Sequence, residues 1–304
     1  MQPLGSFEGL FFVYAQLKTS VKFRTLFQAK LIPPLSHIAF RMKDRFSALS
    51  DLYSRFRPTY PKELYDHLLT LIPGRSAVWD CGTGNGQAAV ALSAHFKRVY
   101  ATDMSREQIR NATERKNITY RVERAEQTSF RDGEFDLVTV AQAAHWFDLA
   151  SFYREAERVL KPSGIIALFG YSLCRVNAGI DEVIDHFYRN VVGPYWDKER
   201  EHVDEEYRTL PFPFTELQAP KFSARYEWEV ERMLGFLGTW SASQRFREET
   251  GNDPLQSIEA DLRKEWGNST KPVLFPVFAR IGIKDGKFNR TVTTPRVRSG
   301  KNSP

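Results

Sequence analysis

The stretch VWDCGTGNGQ, residues 78–87, sets three glycines at alternate positions behind an acid that closes a short apolar run. AVWD (77–80) reads as a buried strand. GQAAVALSAHF (86–96) reads as a helix with Ala88, Val90, Ala91 and Phe96 on its buried face. A strand, a glycine turn and a helix start form a general nucleotide-binding device, because glycine lets backbone approach a ligand and the first helical turn offers unpaired N–H groups. The spacing narrows the ligand. A dinucleotide fingerprint counted from Gly82 needs its third glycine at position 87, where Gln87 stands, so a nicotinamide-dependent oxidoreductase is disfavoured. No G-K-[ST] follows, which disfavours a nucleoside triphosphate site.

Working outward, strand and helix patterns alternate. RVYATD (98–103), ITYRVERA (118–125), FDLVTVA (135–141) and GIIALFGY (164–171) read as strands. Between them, SREQIRNATERK (105–116) is a helix opened by Ser105 as N-cap with Gln108 three residues on. FYREAERVL (152–160) is another, stopped by the Lys161-Pro162-Ser163-Gly164 turn. Farther on, GIDEVIDHFYRNVV (179–192) is helical, FSARYEWEVE (222–231) is an edge strand, two helices are expected around 230–249 and 254–266, and VLFPVFARIGI (273–283) closes the sheet. The expected fold is α/β: a doubly wound, Rossmann-like, seven-stranded, mostly parallel sheet with helices on both faces. In such a sheet ligands sit beyond the carboxyl ends of the strands.

At 304 residues and 42% apolar content, the chain is long enough for one large domain or two small ones. No run reaches the roughly 18 apolar residues of a membrane span, since LFFVYAQL (10–17) is cut off by Lys18, and no secretory signal is expected there. Two cysteines, Cys81 and Cys174, give neither a disulfide framework nor metal-ligand spacing, so no metal is expected and a reducing, cytoplasmic location is. The net charge of +6 lies at the ends: residues 1–41 and 285–304 carry +4 each, leaving −2 for 42–284. That distribution argues against a specific nucleic-acid partner. Residues 1–41 are expected to be a poorly structured extension or a leader, 42–284 the functional domain with an acceptor-side insertion at about 172–222, and 285–304 a basic disordered tail. The oligomeric state is not legible.

Several features recur in a fixed order. Asp80 precedes Gly82, Gly84 and Gly86; Asp103 ends the second strand 23 residues later; Glu126 follows the third strand; Gln142 ends the fourth; and RVLKPSG precedes the fifth. This ordered set resembles the class I S-adenosylmethionine (SAM)-dependent methyltransferases, with Ser163 where their RVLKPGG turn has its first glycine. YSRFRPTYP (53–61), AQAAHWFD (141–148) and FLGTWSASQRF (236–246) are similar to the type 11 branch that includes trans-aconitate methyltransferase-like proteins.

The resemblance implies SAM as cofactor and a set of roles. Gly82, Gly84 and Gly86 shape the cradle, Asp80 meets the methionine end, and Asp103 accepts the ribose hydroxyls in charge-assisted bonds. Met104 packs on adenine, Glu126 meets its amino group, Gln142 lies at the end of strand four, and Tyr53 and Arg57 belong to a segment covering the cofactor. Plainer readings stand beside these: helix capping for Asp80, core filling for Met104, a rigid turn for RPTYP. His145 is the candidate general base, against the alternative of an aromatic wall or hydrogen-bonded hinge. The [NDS]-P-P-[YF] motif of adenine and glutamine methylation is replaced by AQAA, and a Pro-Cys nucleophile is missing, so the acceptor is expected to be a small molecule, a carboxylate among the candidates. Tyr188, Tyr195, Trp196, Trp228 and Trp240 are expected around it, with ordinary core packing as the equal alternative. The competing function is a non-catalytic SAM-binding regulatory protein.

Overall fold

A computed structural model describes residues 56–284; Tyr53 and the expectations for residues 1–41 and 285–304 lie outside the described residues. Five parallel strands run in the order β3-β2-β1-β4-β5: β1 (Ala77–Cys81), β2 (Arg98–Asp103), β3 (Ile118–Val122), β4 (Phe135–Ala141) and β5 (Leu160–Tyr171). The long β8 (Lys271–Ile283) pairs antiparallel with β5. Its outer edge carries β7 (Phe222–Trp228) along one half and the short β6 (Thr215–Leu217) along the other. The described residues therefore hold eight strands where seven were expected. β6 and β7 follow one edge and are interrupted over 218–221, where Pro220 removes a ladder donor.

The alternation of side chains along the strands divides the core between the two faces. Val78, Leu137, Ile165, Ala167 and Phe169 face one way, against Leu64 and Leu68 of α1 (Lys62–Leu71) and Ala88 and Leu92 of α2 (Gln87–Ser93). Trp79, Val138, Val140, Ile166 and Leu168 face the other, against Phe152 and Ala156 of α4 (Leu149–Val159). The buried face of α2 is thus Ala88, Ala89 and Leu92, continued by Phe96 beyond its end, while Val90 and Ala91 are only partly covered.

Between β2 and β3, the helix α3 (Arg106–Arg110) is capped by Ser105, which accepts the Gln108 N–H, but it ends six residues earlier than expected. The chain turns there because the Thr113 N–H donates to the Asn85 carbonyl at 3.2 Å and the Tyr120 hydroxyl donates to the Thr113 carbonyl at 2.8 Å. Ser163 has φ +59, a left-handed conformation that explains why glycine suits this turn in the related sequences.

The second half contributes α5 (Ala178–His186), a turn of π-helix over Phe187–Val191, and α6 (Arg200–Asp204). Then come α7 (Val230–Gly238), α8 (Ser241–Thr250) and α9 (Glu259–Trp266), three helices where two were expected. Thr239 caps α7 with helical backbone, and the break falls at Trp240, whose extended backbone starts α8 in a new direction.

Candidate functional site

The glycine loop lies at the carboxyl end of β1. Gly82, Gly84 and Gly86 have φ of +67, +57 and +90, all left-handed, which accounts for the alternate spacing. The loop is held to its surroundings by backbone: the Thr83 N–H donates to the Thr102 carbonyl at 2.9 Å and the Gly86 N–H to the Thr83 carbonyl at 3.0 Å. Asp80 sits fully buried beneath it, accepting from the Thr83 hydroxyl at 2.6 Å and from the Thr139 hydroxyl at 2.9 Å. Burial outweighs these hydrogen bonds and raises the Asp80 carboxyl to about 6. Asp103, at the end of β2, accepts the Gly84 N–H on one oxygen (2.9 Å) and the Ser105 N–H on the other (2.8 Å).

A cleft of about 370 Å³ opens over this loop. It brings together Gly82, Gly84, Asp103, Gln142 and Arg57 from the expected set, and adds Asn85, Gln87, Ser105, Gln108, Tyr60 and Tyr171. Asp80, Gly86, Met104 and Glu126 do not line it. Asp80 and Gly86 lie behind the loop, and Met104 is 75% exposed. Glu126 accepts from the Asp148 N–H at 3.1 Å and from Arg124 at 3.2 Å, so it joins the end of β3 to the start of α4.

Gln142 follows β4 with φ +53, a strained value for a residue with a side chain. Two bonds hold it there: its N–H donates to the Phe169 carbonyl at 2.7 Å, and its Oε1 accepts the Tyr171 N–H at 3.0 Å. Arg57 spans from β5 to the end of α7, donating from Nη1 to the Tyr171 hydroxyl at 3.0 Å and from Nη2 to the Thr239 carbonyl at 2.9 Å. Arg57, Gln142 and the half-exposed Trp146 also line a second, smaller recess of about 210 Å³, completed by His145, Trp196, Asp197, Arg200, Thr239 and Ser241. The two cavities thus share a wall of three side chains.

His145 belongs to the second recess and not to the cleft. Its Nδ1 lies 2.9 Å from the hydroxyl of the fully buried Tyr207. Burial, reinforced by the charges of Arg200 and His202 and opposed by Asp197, lowers its pKa to about 4. Of the aromatic residues expected around an acceptor, Trp196 lines the recess. Tyr188 backs it, with Arg200 stacked on the rings of Trp196 (4.9 Å) and Tyr188 (5.5 Å). Trp228 and Trp240 are core residues at 2% and 4% exposure, and Tyr195 packs on Phe246. Among the described residues no cluster of His, Cys, Asp and Glu is arranged to hold a metal ion.

Comparison with known proteins gives a consistent result. Residues 79–168, the segment from β1 into β5, match the family described as a methyltransferase domain. A Dictyostelium discoideum protein designated a methyltransferase is 33% identical over 254 residues, covering 81% of this chain and 97% of its own length. An uncharacterized methyltransferase of Mycobacterium tuberculosis is 31% identical over 175 residues, covering 57% of this chain and 67% of its own. A solved structure of a type II methyltransferase from Anaeromyxobacter dehalogenans superposes with a TM-score of 0.71 at 42% identity, covering 75% of this chain and 98% of that one.

Proposed function

The chain belongs to the class I SAM-dependent methyltransferases, and from that premise we propose that it methylates a small molecule seated in the 210 Å³ recess beside the glycine loop. The observation that carries the proposal is the shared wall. Arg57, Gln142 and Trp146 face both cavities, so a donor in one and an acceptor in the other meet at these three side chains. That is the alignment on which an in-line displacement depends.

The cleft fits SAM on grounds of this structure. A Cβ on Gly82 would stand 2.6 Å from the Cβ of Ala143, so the loop has backbone where a side chain cannot be placed. Asp103 keeps further acceptor directions on both oxygens after binding Gly84 and Ser105, since an ionised carboxylate offers about four. We assign Gly82, Gly84, Asn85 and Asp103 to holding the nucleoside, and Arg57 and Gln142 to the end nearest the recess. Asp80 and Gly86 support the loop from behind. Met104, next to Asp103 in the chain, and Glu126, just past the end of β3, are proposed at the adenine rim.

SAM supplies a methyl group on a sulfonium; as an acceptor oxygen forms its C–O bond, the pair of the breaking S–C bond returns to sulfur, leaving S-adenosylhomocysteine. A carboxylate acceptor, in keeping with the resemblance to trans-aconitate methyltransferase-like proteins, is already nucleophilic and requires no base. The residues of the recess then have to orient the acceptor and exclude water. Among the described residues no helix is long and apolar enough to cross a membrane. The cytoplasmic location is proposed from the cysteines: Cys81 and Cys174 are free and buried, which suits a reducing compartment.

Ser241, an exposed residue at the rim of the recess, gives the test. Ser241→Trp is expected to leave SAM affinity unchanged by calorimetry while abolishing S-adenosylhomocysteine release with an acceptor that the wild type turns over. Undiminished turnover would place the acceptor elsewhere.

A further inference from the structure

Three of the side chains that line the recess, Gln142, Arg200 and His145, present hydrogen-bond donors there. Gln142 shows this most directly: a backbone N–H can only donate, so the side-chain oxygen is the atom facing Tyr171, and the amide Nε2 with its two hydrogens points away from it. Arg200 binds Tyr188 and Asp204 through Nε, and among the described residues its terminal nitrogens have no protein hydrogen bond. The carboxylate that lines the recess, Asp197, is already held by Arg245 at 2.5 Å.

His145 completes the pattern through its partner. The Tyr207 hydroxyl is fully buried, and its hydrogen-bond partner among the described residues is His145 Nδ1. A neutral phenol is a better hydrogen-bond donor than acceptor, so the hydroxyl directs its own hydrogen to His145 Nδ1, 2.9 Å away. An imidazole that accepts at Nδ1 and is neutral carries its hydrogen on Nε2, the edge left to the recess. The arrangement is costly to build: Glu206 and Tyr207 are consecutive left-handed residues at φ +56 and +59, held by the Tyr207 N–H to the His202 carbonyl and by Arg280 on the Tyr207 carbonyl. Strain of this kind, maintained by surrounding bonds, accumulates where a side chain must be placed for function.

We propose that the recess binds a carboxylate of the acceptor, with Arg200 as its cation and Gln142 Nε2 and His145 Nε2–H as its neutral donors, so that His145 is a binding residue and not a proton-abstracting base. This rests on the recess being the acceptor site. A carboxylate leaving water needs its charge paired and its lone pairs filled, and one guanidinium with two amide-like donors does both. The charged groups facing the imidazole are Arg200, His202 and Asp197, with the Tyr207 phenol against Nδ1.

The tautomer is read without any substrate, by long-range ¹⁵N–¹H NMR of the ¹⁵N-histidine-labelled full-length protein, with His145→Gln assigning the signal. The expected result between pH 5.5 and 8 is a neutral ring with hydrogen on Nε2; hydrogen on Nδ1 overturns the proposal. Glutarate is then titrated against its neutral diamide. Glutarate is expected to bind at least about tenfold tighter, to lose about tenfold in Arg200→Gln and His145→Ala, and to recover in His145→Gln, whose amide can replace the Nε2–H donor. Equal binding of the diamide overturns the carboxylate assignment. Turnover separates the two levels. A base would be lost in His145→Gln as fully as in His145→Ala, which overturns the donor role, whereas glutarate binding in the recess without effect on turnover overturns the acceptor-site reading beneath it.

Discussion

The Gly84 N–H donates to Asp103 Oδ2 at 2.9 Å, so the carboxylate assigned to the ribose also latches the glycine loop to β2. Asp103→Asn puts an amide nitrogen opposite either the Gly84 or the Ser105 N–H, and two donors then face each other. With a charge-assisted bond worth roughly 1.5–3 kcal/mol, SAM affinity is expected to fall about tenfold to a hundredfold by calorimetry. Affinity within twofold of wild type would remove Asp103 from the site.

The loop glycines make distinguishable predictions. Gly82→Ala brings its Cβ to 2.6 Å from Ala143 and 3.1 Å from Phe147 at φ +67, beside the cleft, and is expected to lower both stability and SAM binding. Gly86→Ala meets the Tyr120 hydroxyl at φ +90, behind the cleft, and is expected to cost about 1–3 kcal/mol in denaturant unfolding with a smaller change in affinity. Tyr120→Phe in the Gly86→Ala background should restore part of that stability by removing the oxygen. No recovery would indicate that φ alone sets the cost.

Asp80 makes a prediction about pH. Its carboxyl is raised from 3.8 to about 6, so the stability it contributes is fully present below about 3.8 and is lost as pH rises through about 6, where the buried group ionises. Asp80→Asn removes that ionisation. The thermal midpoint of Asp80→Asn relative to wild type is expected to rise between pH 4.5 and pH 7.5, by about 2 kcal/mol when converted to free energy. A difference independent of pH would show that Asp80 ionises normally in the fold.

Gln142→Glu keeps an oxygen for the Tyr171 N–H and replaces only the amide that faces away. Stability is expected to change little, and KM for an anionic acceptor to rise at least about tenfold through repulsion. A KM unchanged for the anionic acceptor would detach Gln142 from its binding.

Much of this was legible in the sequence because local constraints wrote it there. The alternate glycines record three left-handed residues, Asp103 records a strand end beside the loop, and Ser105 records a helix cap. The end of α3 was not legible, because it is set by bonds to Thr113 from outside the helix: Asn85, 28 residues earlier, accepts its N–H, and Tyr120, on β3, donates to its carbonyl. β6 is only three residues long, too short for alternation to register. The recess is assembled from residues near 57, 142–146, 196–200 and 239–241, and no pattern within one segment announces their meeting. His145 was visible as a candidate base. Its tautomer depends on Tyr207, 62 residues away, and on a strained turn that composition does not foretell.

Product analysis decides whether the protein methylates a carboxylate-bearing small molecule in the recess beside the glycine loop. The full-length protein is supplied with SAM and a panel of small carboxylic acids, including trans-aconitate and glutarate, alongside phenols, thiols and amines without a carboxylate. The expected product is a methyl ester of a carboxylic acid, formed together with S-adenosylhomocysteine. Arg200→Gln is expected to raise KM for that acid at least about tenfold while leaving SAM affinity unchanged. Methylation confined to phenols, thiols or amines, with the acids inert, would rule out a carboxylate acceptor.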